Sequence, residues 1–342
     1  MAQKLDMKSL LAMTDLPFFS LLRGSRRMWV VPSLVIYPVN RCNFRCEMCD
    51  VPGIDSSKYA EMEPELMERL IDECSRLSIR PRVHFSGLGE PLLYRQMRHT
   101  IELCQEKRLP WSMTTNGYLL DSYAEALVQN HAFGINISIH GTAEKHGKIT
   151  RVSNAFERTV SGLNKLDETR RRAGIKRPLV AVNCVITNEN VYDLPTIYDA
   201  LSQLPISSIT FQNLIFSRQQ LSDAADFLIL DPQKLEALRN FLYWTKTNNL
   251  PVPVNIYPDI PLNRLNDYYT NPAYPGKVHC VLPWLSVRVY PTGQVGMCNA
   301  IFGDLHSQTL KEIINSPAAL EMRRQVRTGE LSVTVVQSVA ES

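Results

Sequence analysis

Val39 to Gly53 reads VNRCNFRCEMCDVPG, and Cys42, Cys46 and Cys49 place three soft ligands within eight residues. The run before it, Ser33 to Val39 (SLVIYPV), is β-branched and predicts a buried strand; Pro52-Gly53 predicts a turn ahead of an amphipathic helix. Three thiols therefore belong to a loop at the C-terminal end of the first strand of an α/β unit. That is the end at which parallel α/β folds bind ligands.

Thiolates so spaced can each take one iron corner of a four-iron, four-sulfur cluster, leaving the fourth iron to a non-protein ligand. A structural zinc site normally takes four protein ligands, and no fourth Cys or His lies on this loop. Arg45, beside Cys46, is a cation that offsets the negative charge of a thiolate cluster. Cys74, Cys104 and Cys184 are scattered, as free buried cysteines usually are.

At 342 residues the chain can form one large domain plus a small one, or two of ordinary size. A hydrophobic content of 44% and a charged content of 21% are those of a soluble globular protein. The net charge of +3 calls for neither nucleic acid nor an anionic membrane as partner, and no apolar run is long enough for stable membrane insertion. Eight cysteines with no convincing secretory signal over Leu5 to Leu22 point to reduced thiols or metal ligands and a cytoplasmic setting. The basic, aromatic stretch Arg23 to Trp29 is expected to follow a packed N-terminal helix.

Beyond the cysteine loop, strand-like and helix-like periods alternate. Strands are expected over Arg82–Ser86, Trp111–Thr115, Phe133–Ile139, Leu179–Thr187 and Ser207–Asn213. Helices are expected over Glu63–Leu77, Met97–Lys107, Tyr123–Gln129, Ala155–Arg172 and Leu194–Leu204. With the first strand this makes a six-stranded parallel sheet, closed as a partial barrel or open and doubly wound.

Every second residue of five successive strands is polar: Arg82, His84, Ser86; Ser112, Thr114, Asn116; Asn136, Ser138, His140; Asn183, Thr187; Ser208, Thr210, Gln212. Buried polar groups must be paired or wet, since each lone one costs about 1–3 kcal/mol. A mutually hydrogen-bonded polar core would satisfy this; so would an open lumen holding a polar ligand, the reading preferred here. The strand-end loops suit a ligand. Ser86 to Pro91 (SGLGEP) offers glycines for close backbone approach and Glu90 as a partner for an ammonium group; Thr114-Thr115-Asn116-Gly117 is an Asn-Gly turn.

In this setting the chain resembles the radical S-adenosylmethionine (SAM) enzymes, whose signature is Cys-x3-Cys-x2-Cys after the first strand. Met48 stands where most members carry an aromatic residue. The resemblance covers Pro32 to Gly329 and implies an α/β fold: a partial (β/α)6 TIM-like barrel with a small C-terminal α+β extension of β-hairpin plus helix. It implies a cluster on Cys42, Cys46 and Cys49, and SAM held among Met48, Gly87, Gly89, Glu90, Pro91, Asn116, Ser138 and Arg151. Gly89, Glu90 and Pro91 match the element that holds the SAM amino group, with Leu88 at its first Gly; Ser138 would lie near the ribose, with His140 where an acid is usual. Arg151 matches the Arg that meets the SAM carboxylate, and Val185 and Asn190 are expected at the adenine wall.

A helix over Lys234–Thr247 leads into an irregular stretch carrying Pro251, Pro253, Pro258, Pro261, Pro272 and Pro275. A hairpin is then expected from Trp284 to Cys298 and a single helix over Leu310–Val326. This resembles the twitch half of a SPASM-type extension, in which Cys280 and Cys298 would form a partial auxiliary iron–sulfur site. No Cys-x2-Cys follows in Leu331 to Ser342, so one complete cluster is expected. Either those ligands were lost, or a neighbouring reading frame encodes them at Val336 and Val339, where a valine codon preceded by T contains a cysteine codon. The expected divisions are 1–30, an N-terminal helical extension; 31–215, the barrel; 216–275, a connector; 276–329, the extension; and 330–342, a divergent tail.

The resemblance implies reductive cleavage of SAM to a 5′-deoxyadenosyl radical that takes hydrogen from a peptide, sugar or other small metabolite, with a flavodoxin- or ferredoxin-type electron donor. A non-catalytic iron–sulfur or zinc scaffold, or an electron carrier, would explain the cysteines equally well, but not Glu90, Arg151 and the polar strand phase at one mouth.

Overall fold

The computed structural model describes residues 27–28, 31–49, 56–213, 231–270, 282–297 and 300–328. The expected N-terminal helix, Cys280, Cys298 and the tail lie outside them. Seven strands follow in chain order: β1 Ser33–Ile36, β2 Arg82–Phe85, β3 Trp111–Thr115, β4 Gly134–Ser138, β5 Leu179–Ile186, β6 Ser208–Asn213 and β7 Val254–Tyr257. Each pairs in parallel with the next.

Helices alternate with them: α1 Pro64–Ser75, α2 Met97–Glu106, α3 Leu120–Gln129, α4 Ala143–Thr150, α5 Ala155–Arg172, α6 Leu194–Ser202, α7 Pro232–Thr247 and α8 Leu265–Thr270. Their apolar stripes cover one face of the sheet. On α1, Leu66, Met67, Leu70, Ile71 and Cys74 are buried, at the three- and four-residue spacing that keeps a helix face inward. They join Val83, Phe85, Met113, Ile135, Ile137, Val182, Ile209 and Phe211 in one continuous core. Truncating one such fully buried residue, Ile137→Ala for example, would cost about 2–5 kcal/mol.

The other strand phase is half-buried in each case: His84, Ser112, Thr114, Asn136, Ser138, Asn183, Ser208, Thr210 and Gln212. Register aligns these side chains, His84 beside Ser112, Thr114 beside Asn136, and Ser138 beside Asn183 and then Thr210. His84 bridges two of them, its ring nitrogens 2.8 Å from Ser112 Oγ and 2.9 Å from Thr114 Oγ1. The row is thus partly self-paired and still reachable by solvent, as a lumen requires. It closes at the strand ends, where Ser86, Asn116, His140 and Thr187 are buried. These four therefore depart from the expectation of a polar row open along its length.

Four further expectations need correction. Ala143–Thr150, where no element is expected, is helix α4, whose eight residues are too few to show a clear period. The proline-rich connector contains β7, four residues flanked by Pro253 and Pro258, which cannot themselves donate to a ladder. After β8 Ser286–Val289 and β9 Gln294–Met297 comes a further strand, β10 Ala300–Asp304, antiparallel to β9. The expected helix Leu310–Val326 is two, α9 Leu310–Ile313 and α10 Pro317–Thr328, because the residue before Pro317 is pushed out of helical geometry.

The hairpin is also no separate layer. β8 lies parallel to β1 on the side away from β2, giving one ten-stranded sheet in the order β10-β9-β8-β1-β2-β3-β4-β5-β6-β7. No helix among the described residues is long and apolar enough to cross a membrane.

Candidate active site

The cysteine loop leaves the C-terminal end of β1 and is pinned at both halves. On entry, Val39 bridges Glu61, and Asn40 Oδ1 accepts the Ala60 N–H at 2.6 Å. Arg41 donates to Glu61 Oε2 and to the Leu93 carbonyl, each at 2.7 Å. Further on, the Arg45 and Glu47 N–H groups donate to the carbonyls of Thr150 and Ile149, at 3.1 and 3.0 Å. Those carbonyls belong to the last turn of α4, where a helix has no partners of its own to offer. The cysteine loop thus caps the helix that sequence reasoning missed.

Cys42 and Cys46 are half-buried and Cys49, beyond the second anchor, is exposed, with the Cys49 N–H turning back to the Cys46 carbonyl at 3.1 Å. Burial pushes the Cys42 thiol up to about 11, and the nearby charges of Glu90 and Cys49 add to the rise. Cys46 is raised further by burial and then by Cys49 and Cys42. Cys42 and Cys46 therefore both feel neighbouring thiols, the situation that bound iron relieves by replacing the protons. No three His, Cys, Asp or Glu side chains among the described residues close around a single ion. A cluster asks for something else, since each thiolate takes a different iron and the sulfurs stand apart. The donor set fits three corners of such a cluster.

The loop after β2 packs directly on the cysteine loop. Gly87 has φ +123°, and a Cβ there would meet the Tyr37 ring at 2.2 Å; one at Gly89 would lie 2.7 Å from the carbonyl oxygens of both Val39 and Arg41. The Glu90 N–H donates to the Arg41 carbonyl at 2.9 Å. Both glycines are thus demanded by the approach of one loop to the other, not only by a ligand.

Glu90 is 2% exposed. Its Oε1 accepts from the Leu92 N–H at 3.0 Å and from Thr115 Oγ1 at 2.7 Å, while Oε2 accepts the Asn116 N–H at 2.7 Å. Burial raises its pKa despite these three donors. With about four acceptor positions on a carboxylate, one on Oε2 is left for a ligand. Pro91 opens the short turn Pro91–Leu93 that Glu90 caps.

Asn116, 8% exposed, brings the loop after β3 to the same place, with its Nδ2 3.6 Å from Cys42 Sγ. Ser138 ends β4 half-buried, in register with Asn183. Arg151 is exposed and follows Thr150 in the left-handed conformation, φ +58°, so its chain position adjoins the cysteine loop. Met48 is half-buried against the core.

One expected wall residue, Asn190, is committed to the fold itself. Asn190 is fully buried, its Oδ1 accepting from the Thr187 N–H and its Nδ2 donating to the carbonyls of His140 and Val185, each at 2.8 Å. The Val185 N–H donates to His140 Nδ1 at 3.2 Å. These groups lock the ends of β4 and β5 together and spend both Nδ2 hydrogens of Asn190 inside the fold, while Val185 is half-buried in the same strand phase as Asn183. Asn43, Arg41 and His146 were missed; only the Asn43-Cys42 adjacency could have drawn attention to the first.

Residues 36–201 match the radical SAM superfamily and residues 280–332 match the SPASM iron–sulfur cluster-binding domain. Among curated relatives, the Fe-coproporphyrin III synthase of Methanosarcina barkeri is 29% identical over 187 residues, 54% of this chain and 45% of its own length. The tungsten-containing aldehyde ferredoxin oxidoreductase cofactor-modifying protein of Pyrococcus furiosus is 23% identical over 81% of this chain and 79% of its own. The probable GTP 3′,8-cyclase of Methanocaldococcus jannaschii is 30% identical over 49% and 54%. The chain thus spans about half the length of the first and third of these. In fold it is similar to Streptococcus suis SuiB bound to S-adenosylmethionine, at a TM-score of 0.65 and 16% identity over 89% of this chain and 70% of that one. It is similar also to native anSMEcpe with bound AdoMet, at 0.63 and 19% over 86% and 84%.

Proposed function

Since this chain belongs to the radical SAM superfamily and carries an iron–sulfur cluster-binding domain, we propose that it is an enzyme that reductively cleaves S-adenosylmethionine and takes hydrogen from a substrate in the barrel lumen. The observation that carries this reading is the joining of three strand-end loops at Cys42: the cysteine loop, the Glu90 loop hydrogen-bonded to Arg41, and the Asn116 loop bonded to both Glu90 and Cys42. A four-iron cluster held there would supply the low-potential electron that reductive cleavage of SAM to a 5′-deoxyadenosyl radical requires.

The residues of the chain bind and orient. Cys42, Cys46 and Cys49 hold one iron each. The free acceptor position of Glu90 takes the SAM ammonium, Arg151 meets its carboxylate and Ser138 its ribose, while Met48, Gly87, Gly89 and Pro91 shape the pocket around them. The half-buried hydroxyl and amide row from His84 to Gln212 holds the substrate, for which hydrogen bonding favours a peptide or a sugar-like or other small polar metabolite. A flavodoxin- or ferredoxin-type protein supplies the electron. The barrel occupies 31–215, the connector 216–275 and the cluster-binding extension 276–329, where Cys280 and Cys298 contribute to any second site.

The test is reconstitution with iron and sulfide, reduction and addition of SAM. The wild type should form 5′-deoxyadenosine, and alanine at Cys42, Cys46 and Cys49 should abolish it. Tight SAM binding with no cleavage would instead favour a non-catalytic scaffold.

A further inference from the structure

Each polar group of Asn116 has a partner, and those partners link the cysteine loop to the Glu90 loop. Its Oδ1 accepts the Tyr118 N–H at 3.0 Å, which fixes the orientation of the amide and turns Nδ2 toward the cysteine loop. Nδ2 then lies 2.8 Å from Asn43 Oδ1 and 3.6 Å from Cys42 Sγ. The backbone N–H reaches Glu90 Oε2 at 2.7 Å, and the carbonyl accepts from Thr159 Oγ1 at 3.2 Å. Gly117 behind it, at φ +79°, donates to Thr115 Oγ1 at 3.0 Å and leaves no room for a Cβ, which would meet Thr159 Cγ2 at 2.6 Å. The amide is therefore held on a stiff turn and cannot drift from the sulfur.

Cys42 Sγ has a second donor, the Phe44 N–H at 3.3 Å. N–H groups aimed at a ligating sulfur draw electron density from it, stabilise the more negative reduced cluster and raise its potential. We propose that Asn116 is a positioning residue for the cluster, which sets its reduction potential through the Cys42 sulfur while the same residue's backbone holds Glu90 in place. The proposal rests on the reading that Cys42 ligates a four-iron cluster, and it adds that the loop after β3 tunes that cluster.

The experiment is an EPR-monitored redox titration of the reconstituted protein, with iron and sulfide counts on each sample. Asn116→Leu removes the side-chain donor and keeps the backbone N–H to Glu90; Asn116→Asp keeps the shape and puts a negative oxygen beside the sulfur. The midpoint should move to more negative potential in Asn116→Leu and further still in Asn116→Asp. Thr159→Val, which loosens the same turn without touching the sulfur, should leave it in place. Unchanged midpoints in fully loaded Leu and Asp variants overturn the proposal, and if only the Asp variant loads, its midpoint alone decides. Folded variants that both fail to hold iron also overturn it, since Asn116 would then serve assembly alone. A wild type that takes up no four-iron cluster refutes the reading beneath it instead.

Discussion

The backbone N–H of His140 donates to Nδ1 of His146 across 3.0 Å, joining the end of β4 to the middle of α4. That contact holds α4 where its last carbonyls receive the cysteine loop. The His146 ring also meets Phe44 of that loop edge to face at 6.2 Å.

Acid should loosen this support. Burial pushes His140 down to about 3, helped by the His146 charge, and His146 down to about 4. Both stay neutral in the fold at pH values where an unfolded imidazole, titrating near 6.5, binds a proton. The unfolded state therefore gains protons first, and stability complete above about pH 6.5 is lost as pH falls toward 4. Thermal melts at pH 7 and pH 5 should show this loss, and His146→Gln, which keeps an acceptor for His140, should flatten it. An equal slope in wild type and variant would refute the assignment.

Glu90→Gln replaces a double acceptor by a half-donor in a pocket with three donors around it. At least one N–H or O–H is left facing an NH2 group, at a cost of about 1–3 kcal/mol. Chemical denaturation should read that loss, and equilibrium dialysis should show weaker SAM binding.

Arg151→Ala should weaken SAM binding without the loss of stability. The side chain is exposed and leaves the melting temperature within about 1 °C, since surface changes are usually within ±0.5 kcal/mol. SAM affinity should nevertheless fall, by about tenfold for one lost charge-assisted contact of about 1.5 kcal/mol. Unchanged affinity would return Arg151 to a surface charge.

Gly89→Ala would drive a methyl group against the Val39 and Arg41 carbonyls, 2.7 Å away. Backbone on both sides can yield only by moving the cysteine loop. A destabilisation of about 1–3 kcal/mol is expected, with lower iron content after reconstitution. Normal iron loading would show that the loop tolerates displacement.

Iron and sulfide counts test the auxiliary site. Wild type should hold about four irons per chain, and a Cys280→Ala, Cys298→Ala pair should hold the same. About eight irons in wild type, falling to about four in the double variant, would establish a second complete cluster.

The cysteine spacing, the alternation of strands and helices and the polar and apolar phases of each strand were all legible in the sequence. Each is written in residues a few positions apart, where side-chain period and ligand spacing leave a direct trace. Tertiary structure alone decided that α4 carries the cysteine loop, that β8 extends the sheet beside β1, that Glu90 is buried among three donors and that His140 and Asn190 tie strands together. Those relations join groups such as Cys42 and Asn116, 74 positions apart, or Arg45 and Thr150. A hydrogen bond across such a span is set by how the barrel brings strand ends together, and neither partner's neighbours in the chain carry a mark of it.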